Sequence, residues 1–353
     1  MRILHLYRPT LPGQRAQSIQ VVHTCHALAA RGHEVTLLAD SASRDATPGR
    51  ALDVLGLTPV PGLHIHCAPA RQRALAGLWF RHQLARWWAG PGGVVLARDK
   101  RRLHAALEAH GPRHRIVLET HELDSALVAD AGRPSGPIHT LEAALASRAH
   151  ALVANCAGTL EAWREAHGPS LPPLQRVIHN ATAPSRLRSH RPGPDPVVRC
   201  VGSLRAFKGL ASLLEAAPRL PVPLHIVGGT PQELSTPVPP GVEVSPAVPF
   251  PAVPDLLARS AVLLLPLADN RFGRQLTNPL KLWDYLATAQ PIVVPDLPTV
   301  SEVAASTGTT LHRYRPGDPD SLVAAVQAAL HAPPRTPVVR TWAERAAELE
   351  ACF

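Results

Sequence analysis

The chain has 353 residues, 45% of them hydrophobic and 18% charged, with a formal net charge of +9. That length is enough for about two domains with cores of their own, and the composition is that of a soluble globular protein, not a fibrous or disordered one. The charge admits anionic partners, yet no block of five consecutive basic residues occurs and no aromatic-basic alternation suggests an RNA-binding sheet, so nucleic acid is not expected.

From the amino terminus, ILHLY (3–7) reads as a first strand, too short an apolar run for a signal peptide and followed at once by Pro9, Pro12 and Gly13. A helix is expected from Ser18 to Arg31, with Ser18 as N-cap, Gly32 as its stop, and Ile19, Val22, Cys25 and Leu28 on one face. Strands follow at 33–40, 63–67, 94–97, 115–119 and 151–155. The stretch RALAGLWFRHQLARWW (73–88) reads as a domain helix burying one face, and its mixture of Arg and Trp also admits peripheral contact with an anionic membrane. Residues 183–197, Pro-rich, basic and aperiodic, read as a linker. The pattern then restarts, with strands at 197–203, 224–229, 242–246, 261–267 and 291–296 and one near Thr310. Helices are expected over 209–217, 252–259, 279–288 and 299–305. No run approaches transmembrane length.

Strands separated by helices imply parallel sheets covered on both faces. The expected fold is α/β, with two Rossmann-like doubly wound parallel-sheet domains facing a central cleft. The first domain spans 1–182 and the second 198–340, with the terminal helix 341–353 able to pack back on the first. Five scattered cysteines without CxxC spacing suggest reduced thiols in a cytoplasmic protein, not disulfides or zinc.

Ligands of such sheets bind outside the carboxyl ends of the strands, so the residues just after each strand are the candidates. Of thirty-six cationic side chains only three are lysine, Lys100, Lys208 and Lys281, each after an apolar strand or at a helix start. A compact ammonium differs physically from the planar guanidinium fork, and helix starts suit phosphate. In TNPLKLWDYLATAQPIVVPD (277–296), Asn278 is a good N-cap and Pro279 suits the first helical position, while Leu280, Trp283 and Leu286 share a face and should be buried. Lys281 and Asp284 lie three apart on a neighbouring face, which an ordinary surface ion pair would also explain.

The segment resembles the nucleotide-sugar site of retaining glycosyltransferases of family 4, which have the B-type two-domain fold. The resemblance implies that Asp284 stands where the family has a Glu binding the ribose of the nucleotide. Leu276 stands in place of the usual partner acid eight residues upstream, and Thr277, Asn278 and Pro279 resemble the loop of branches that lack that acid. VGSLRAFKGL (201–210) is similar to the element in which Arg and Lys neutralise the departing diphosphate. Lys208 falls on the Lys position, Ser203 on the Arg position, and Arg205 is the candidate replacement. In LETHELD (118–124), His121 matches a His that hydrogen-bonds the transferred sugar, with Glu122 beside it for the acceptor. LPGQRAQSIQ (11–20) resembles the acceptor-side loop, through Gly13 and Gln14, and is not a dinucleotide fingerprint. Arg98 and Lys100 end a strand on the same side, and Gly229 lies where the family cradles the base.

The resemblance therefore implies sugar transfer from a UDP- or GDP-sugar to a hydroxyl acceptor: a saccharide, a lipid-linked species or a small natural product. The nucleotide sugar is a co-substrate, and no cofactor or metal is expected. A nucleotide-sugar epimerase on the same fold, or a catalytically weakened nucleotide-sugar-binding scaffold, are the alternatives, the latter suggested by Ser203 and Leu276.

Overall fold

The computed structural model describes residues 1–43, 46–69, 73–189, 196–204 and 208–353. It divides into two compact units, Met1–Asn180 with Trp342–Phe353, and Ala181–Thr341.

The first unit carries strands β1 (Arg2–Leu6), β2 (Thr10–Leu11), β3 (Glu34–Ser41), β4 (Leu63–Cys67), β5 (Val94–Ala97), β6 (Arg115–Thr120), β7 (Ala151–Ala154) and β8 (Leu174–Val177). All pair in parallel, in the order β2-β3-β1-β5-β6-β7-β8, with β4 also on β3. Strands β5 and β7 are uniformly apolar and every residue of them is buried, as strands covered on both faces must be. Strand order reverses at β1, between β3 and β5, so the carboxyl ends of β1 and β5 flank the switch point.

The first helix runs Ala16–Ala30, not from Ser18. Ser18 lies buried in its first turn and Arg15 takes the cap position without a side-chain bond. Gly32 ends it as expected, with φ +90° and its N–H bonded to the Ala29 carbonyl. The helix Arg73–Trp88 buries Phe80, Leu84, Trp87 and Trp88 and leaves Leu75 and Leu78 exposed. The carboxyl-terminal helix Trp342–Glu350 packs on the first unit: Trp342 stacks on His23, and Glu350 bonds Arg31 and His33.

The second unit has β9 (Val198–Val201), β10 (Leu224–Val227), β11 (Val242–Ser245), β12 (Val262–Leu264), β13 (Ile292–Pro295) and β14 (His312–Tyr314), parallel in the order β11-β10-β9-β12-β13-β14. Alternation sends Val262, Leu264 and Val293 to a core under helices Leu210–Ala216 and Pro319–Leu330. Leu263, Ile292 and Val294 go to the opposite face, under Leu280–Leu286 and Pro298–Thr307. Here the order reverses at β9, between β10 and β12.

Periodicity did not signal β2, β8 or the helices Arg271–Gln275 and Pro319–Leu330. The linker expected at 183–197 begins as structure of the second unit: Pro184–Arg186 is a single tight turn, and Arg188 bridges to Thr288. Among the described residues no helix is long and apolar enough to cross a membrane.

Candidate functional site

In the second unit the switch point gathers the carboxyl end of β9, the turn after β10 and the start of helix Leu280–Leu286. Gly202 has φ +134° and Gly228 φ +138°, conformations that favour glycine. The Gly202 N–H donates to the Val227 carbonyl (2.6 Å), and the Gly228 and Gly229 N–H groups donate to the Ser245 carbonyl (2.9 and 3.3 Å). A methyl group on Gly202 would coincide with Nζ and Cε of Lys281, so the lysine lies directly across the turn. Tyr285 holds the helix there: its hydroxyl accepts from the Val201 N–H (3.0 Å) and donates to the Leu264 carbonyl (3.4 Å).

Lys208 Nζ donates to the Ser203 carbonyl (3.0 Å) and Oγ (2.7 Å), which fixes it one residue beyond the Gly202 turn. Burial pushes the Lys281 ammonium down from its ordinary value, with Cys200 and Asp284 pulling the other way. No carboxylate among the described residues lies within ion-pair distance of Lys281. Two lysine heads beside backbone that only glycine permits make a compact cationic corner, suited to an anion.

Asp284 Oδ1 accepts from Thr182 Oγ1 (2.7 Å) and lies 2.6 Å from Arg186 Nε. Arg186 is buried and stacks on Phe250, 4.2 Å from the ring centre.

In the first unit, a recess of about 130 Å³ opens at the switch point, walled by Tyr7, Gln17, Arg98, Lys100, Thr120, His121, Glu122 and Asp124. Beneath it lies the buried carboxylate of Glu119. Its Oε1 accepts from Gln20 Nε2 (2.8 Å), His121 Nε2 (2.8 Å) and Arg345 Nη2 (2.5 Å). Burial alone would raise this carboxyl, but Arg345, His121 and His5 hold it well below the usual carboxylate range. Arg98 donates to Gln20 Oε1 (2.8 Å) and lies over the Tyr7 ring. Glu122 is pushed up by burial and by Asp124.

The family model described as Glycosyltransferase Family 4 matches residues 17–186, and the model described as Glycosyl transferases group 1 matches residues 195–332. The chain is a glycosyltransferase of the family 4 type.

No curated protein matches the glycosyltransferase in sequence. Among solved structures it is similar to a sucrose-phosphate synthase from Thermosynechococcus elongatus, with TM-score 0.73 and 16% identity over 100% of this chain and 94% of that one. It is also similar to WaaG, described as a glycosyltransferase involved in lipopolysaccharide biosynthesis (TM-score 0.62, 15% identity, 99% and 95% covered). A third likeness is to an α,α-trehalose 6-phosphate synthase from Burkholderia multivorans (TM-score 0.62, 14% identity, 99% and 93% covered). At these identities the likeness is of fold, two Rossmann-like parallel-sheet domains of the B type.

The glycosyltransferase brings together Ser203, Lys208 and Lys281 and sets Gly229 in the adjoining turn, where Leu204 would fill the space of a side chain. Arg205 lies outside the described residues. Asn278 does not cap the helix: its Oδ1 accepts from Trp283 Nε1 (2.7 Å), and Pro279 occupies the cap position. Thr277 and Asn278 are buried, whereas Leu280, expected in the core, is only half-buried; Leu282 and Tyr285 are buried beside Trp283 and Leu286 instead. Asp284 is engaged with Arg186 and Thr182 rather than standing free beside Lys281.

On the acceptor side, His121, Glu122, Arg98 and Lys100 share one recess, but Gly13 and Gln14 are not among its walls. Tyr7 and Gln17 are, and reasoning from motifs missed both. Tyr7 follows β1 directly, so the strand-end rule already pointed to it. Lys100 is not free to meet an acceptor: its ammonium pairs with Glu142 (2.7 Å) and Asp124 (3.1 Å).

Gly202→Ala is expected to displace Lys281 and strain the turn, weakening nucleotide binding at least tenfold by calorimetry and lowering Tm. Unchanged binding would show that the turn and Lys281 do not form one site.

Proposed function

We propose that the protein is a retaining glycosyltransferase that takes a hexosyl group from a UDP- or GDP-sugar to a hydroxyl acceptor without a metal ion. The observation that carries this reading is the convergence of Lys281, packed against Gly202, and Lys208, bonded to Ser203, at the switch point of the second unit. Breaking the sugar–phosphate bond leaves charge on the diphosphate, and fixed cations aimed at that charge lower the barrier. Two ammonium groups supply what a bound metal would otherwise contribute, so their positions support metal independence. Asp284, held through one oxygen by Thr182 and Arg186, keeps its second oxygen for the ribose hydroxyls. Retention follows if the leaving phosphate itself takes the proton of the incoming hydroxyl on the same face of the sugar, and no separate general base is then needed. The acceptor is a saccharide, a lipid-linked species or a small natural product. The protein works in the cytoplasm, and Leu75 and Leu78, exposed on the Arg- and Trp-bearing helix, support transient contact with an anionic membrane.

Proton NMR of the product formed from UDP- and GDP-hexoses, with and without EDTA, tests this. The expected product keeps the donor's anomeric configuration, and EDTA leaves the rate unchanged. An inverted anomer, or loss of turnover in EDTA, would refute the corresponding part. Free nucleotide and an altered sugar released without acceptor would mark an epimerase instead.

A further inference from the structure

We propose that Glu119, held by Arg345 and Gln20, fixes His121 as a neutral imidazole whose Nδ1 accepts a hydrogen bond from a ligand hydroxyl in the recess of the first unit. The inference rests on the function proposed above only for what that hydroxyl belongs to, a sugar or its acceptor.

An ionised carboxylate can only accept hydrogen bonds, and a neutral imidazole carries one N–H. Glu119 Oε1 lies 2.8 Å from His121 Nε2, so the hydrogen sits on Nε2 and Nδ1 is left with a lone pair. Nδ1 has no partner among the described residues, and it is not among the polar atoms sealed inside the protein. The ring is a wall of the recess, so the lone pair is available to a bound molecule. Glu119 cannot turn away, because Gln20 and Arg345 grip the same oxygen, and Arg345 is itself buried and bonded to Thr24 Oγ1 at 2.9 Å. The terminal helix thus returns to the first unit to hold this carboxylate.

The surrounding groups agree on the charge state. His121 bonds Glu119 and shares the recess with Glu122 and Asp124 beyond its own strand end, Tyr7 beyond β1, and Arg98 and Lys100 beyond β5, while Arg345 of the terminal helix lies behind Glu119. Burial, then Arg98, drive its protonation down to about pH 4 against the opposing pull of Glu119, with Arg345 adding to the downward push. A neutral acceptor selects a donor such as a hydroxyl, whereas an imidazolium would select an anion. Glu119 and Arg345 are accordingly positioning residues, acting through His121.

The test is the long-range proton–nitrogen NMR spectrum of the full-length protein, with the His121 signals assigned by their loss in His121→Asn. We expect the Nε2–H neutral tautomer, without titration, from pH 6 to 8. An imidazolium at pH 6, or the Nδ1–H tautomer, would overturn the proposal. Glu119→Gln offers an amide in place of the carboxylate, so the tautomer should become mixed and kcat/KM fall about tenfold, the worth of one hydrogen bond. Arg345→Lys should keep the tautomer and most of the turnover. Full turnover in Glu119→Gln despite an altered tautomer also overturns the proposal. If Glu119→Gln does not fold, the wild-type spectrum still decides. If no sugar is transferred by the wild type, the function proposed above fails while the tautomer remains readable.

Discussion

Lys281→Met should cost two to three orders of magnitude in kcat while leaving the protein as stable as before, or more so. The ammonium is held at Gly202, where burial disfavours its charge. A group whose folded pKa is depressed below its unfolded value is disfavoured in its protonated form by folding, and for a lysine that means the charge costs stability at neutral pH. Methionine removes that cost and fills similar volume. Activity moves the opposite way, because a donor aimed at developing charge in a water-poor site contributes roughly 3–4 kcal/mol to the transition state, about 10²–10³ in rate. Stopped-assay kinetics with thermal melting on the same preparation checks both halves. Lower Tm with unchanged kcat would make Lys281 a structural lysine.

Lys100→Met should behave in reverse. Lys100 is 6% exposed and pairs with Glu142, which is fully buried and also accepts from the Asp124 and Ser125 N–H groups. Removing the ammonium strands a buried carboxylate, which typically costs about 3–5 kcal/mol, or ~2–4 °C of Tm for each of those in a unit of this size. Glu142 gives the pH signature. Burial alone would raise its carboxyl, but His167, Lys100 and Ser125 bring it down from 4.5 to about 2. A depressed carboxyl contributes stability that is complete above its unfolded pKa and is lost as pH falls through the folded one, so the wild type should weaken between about pH 4.5 and 2. Glu142→Gln should flatten that slope, and melting curves across the window would measure it. An unchanged slope would place the acid sensitivity elsewhere.

The contrast between these two lysines marks how far the sequence could be read. Rare lysine in an arginine-rich chain pointed to three positions, and all three lie at strand ends or helix starts. Which are functional depended on partners far away in sequence: Glu142, forty-two residues from Lys100, and Gly202, packed directly against Lys281. The alternation of strands and helices, and hence the parallel sheets, was legible because buried strands are continuous apolar runs. The short edge strand Leu174–Val177 was not, since LQRV carries two polar residues and half-exposed positions. Local polar chemistry misled at Asn278, which suits a helix cap by composition but is drawn off by the Trp283 indole.

Glu119 was the largest omission. It is the single charged residue after the start of RIVLET, and a carboxylate inside a buried strand must be paired. That alone flagged it, but the partner Arg345, 226 residues away, could come only from the folded chain.

We propose that the glycine turn with Lys208 and Lys281 holds the diphosphate of a sugar nucleotide. Isothermal titration of UDP, GDP and inorganic phosphate into the wild type, Lys208→Ala and Lys281→Met tests it most directly. One nucleoside diphosphate should bind the wild type well above phosphate, and each substitution should weaken it at least tenfold. Absence of nucleotide binding, or equal affinity in all three proteins, would contradict it.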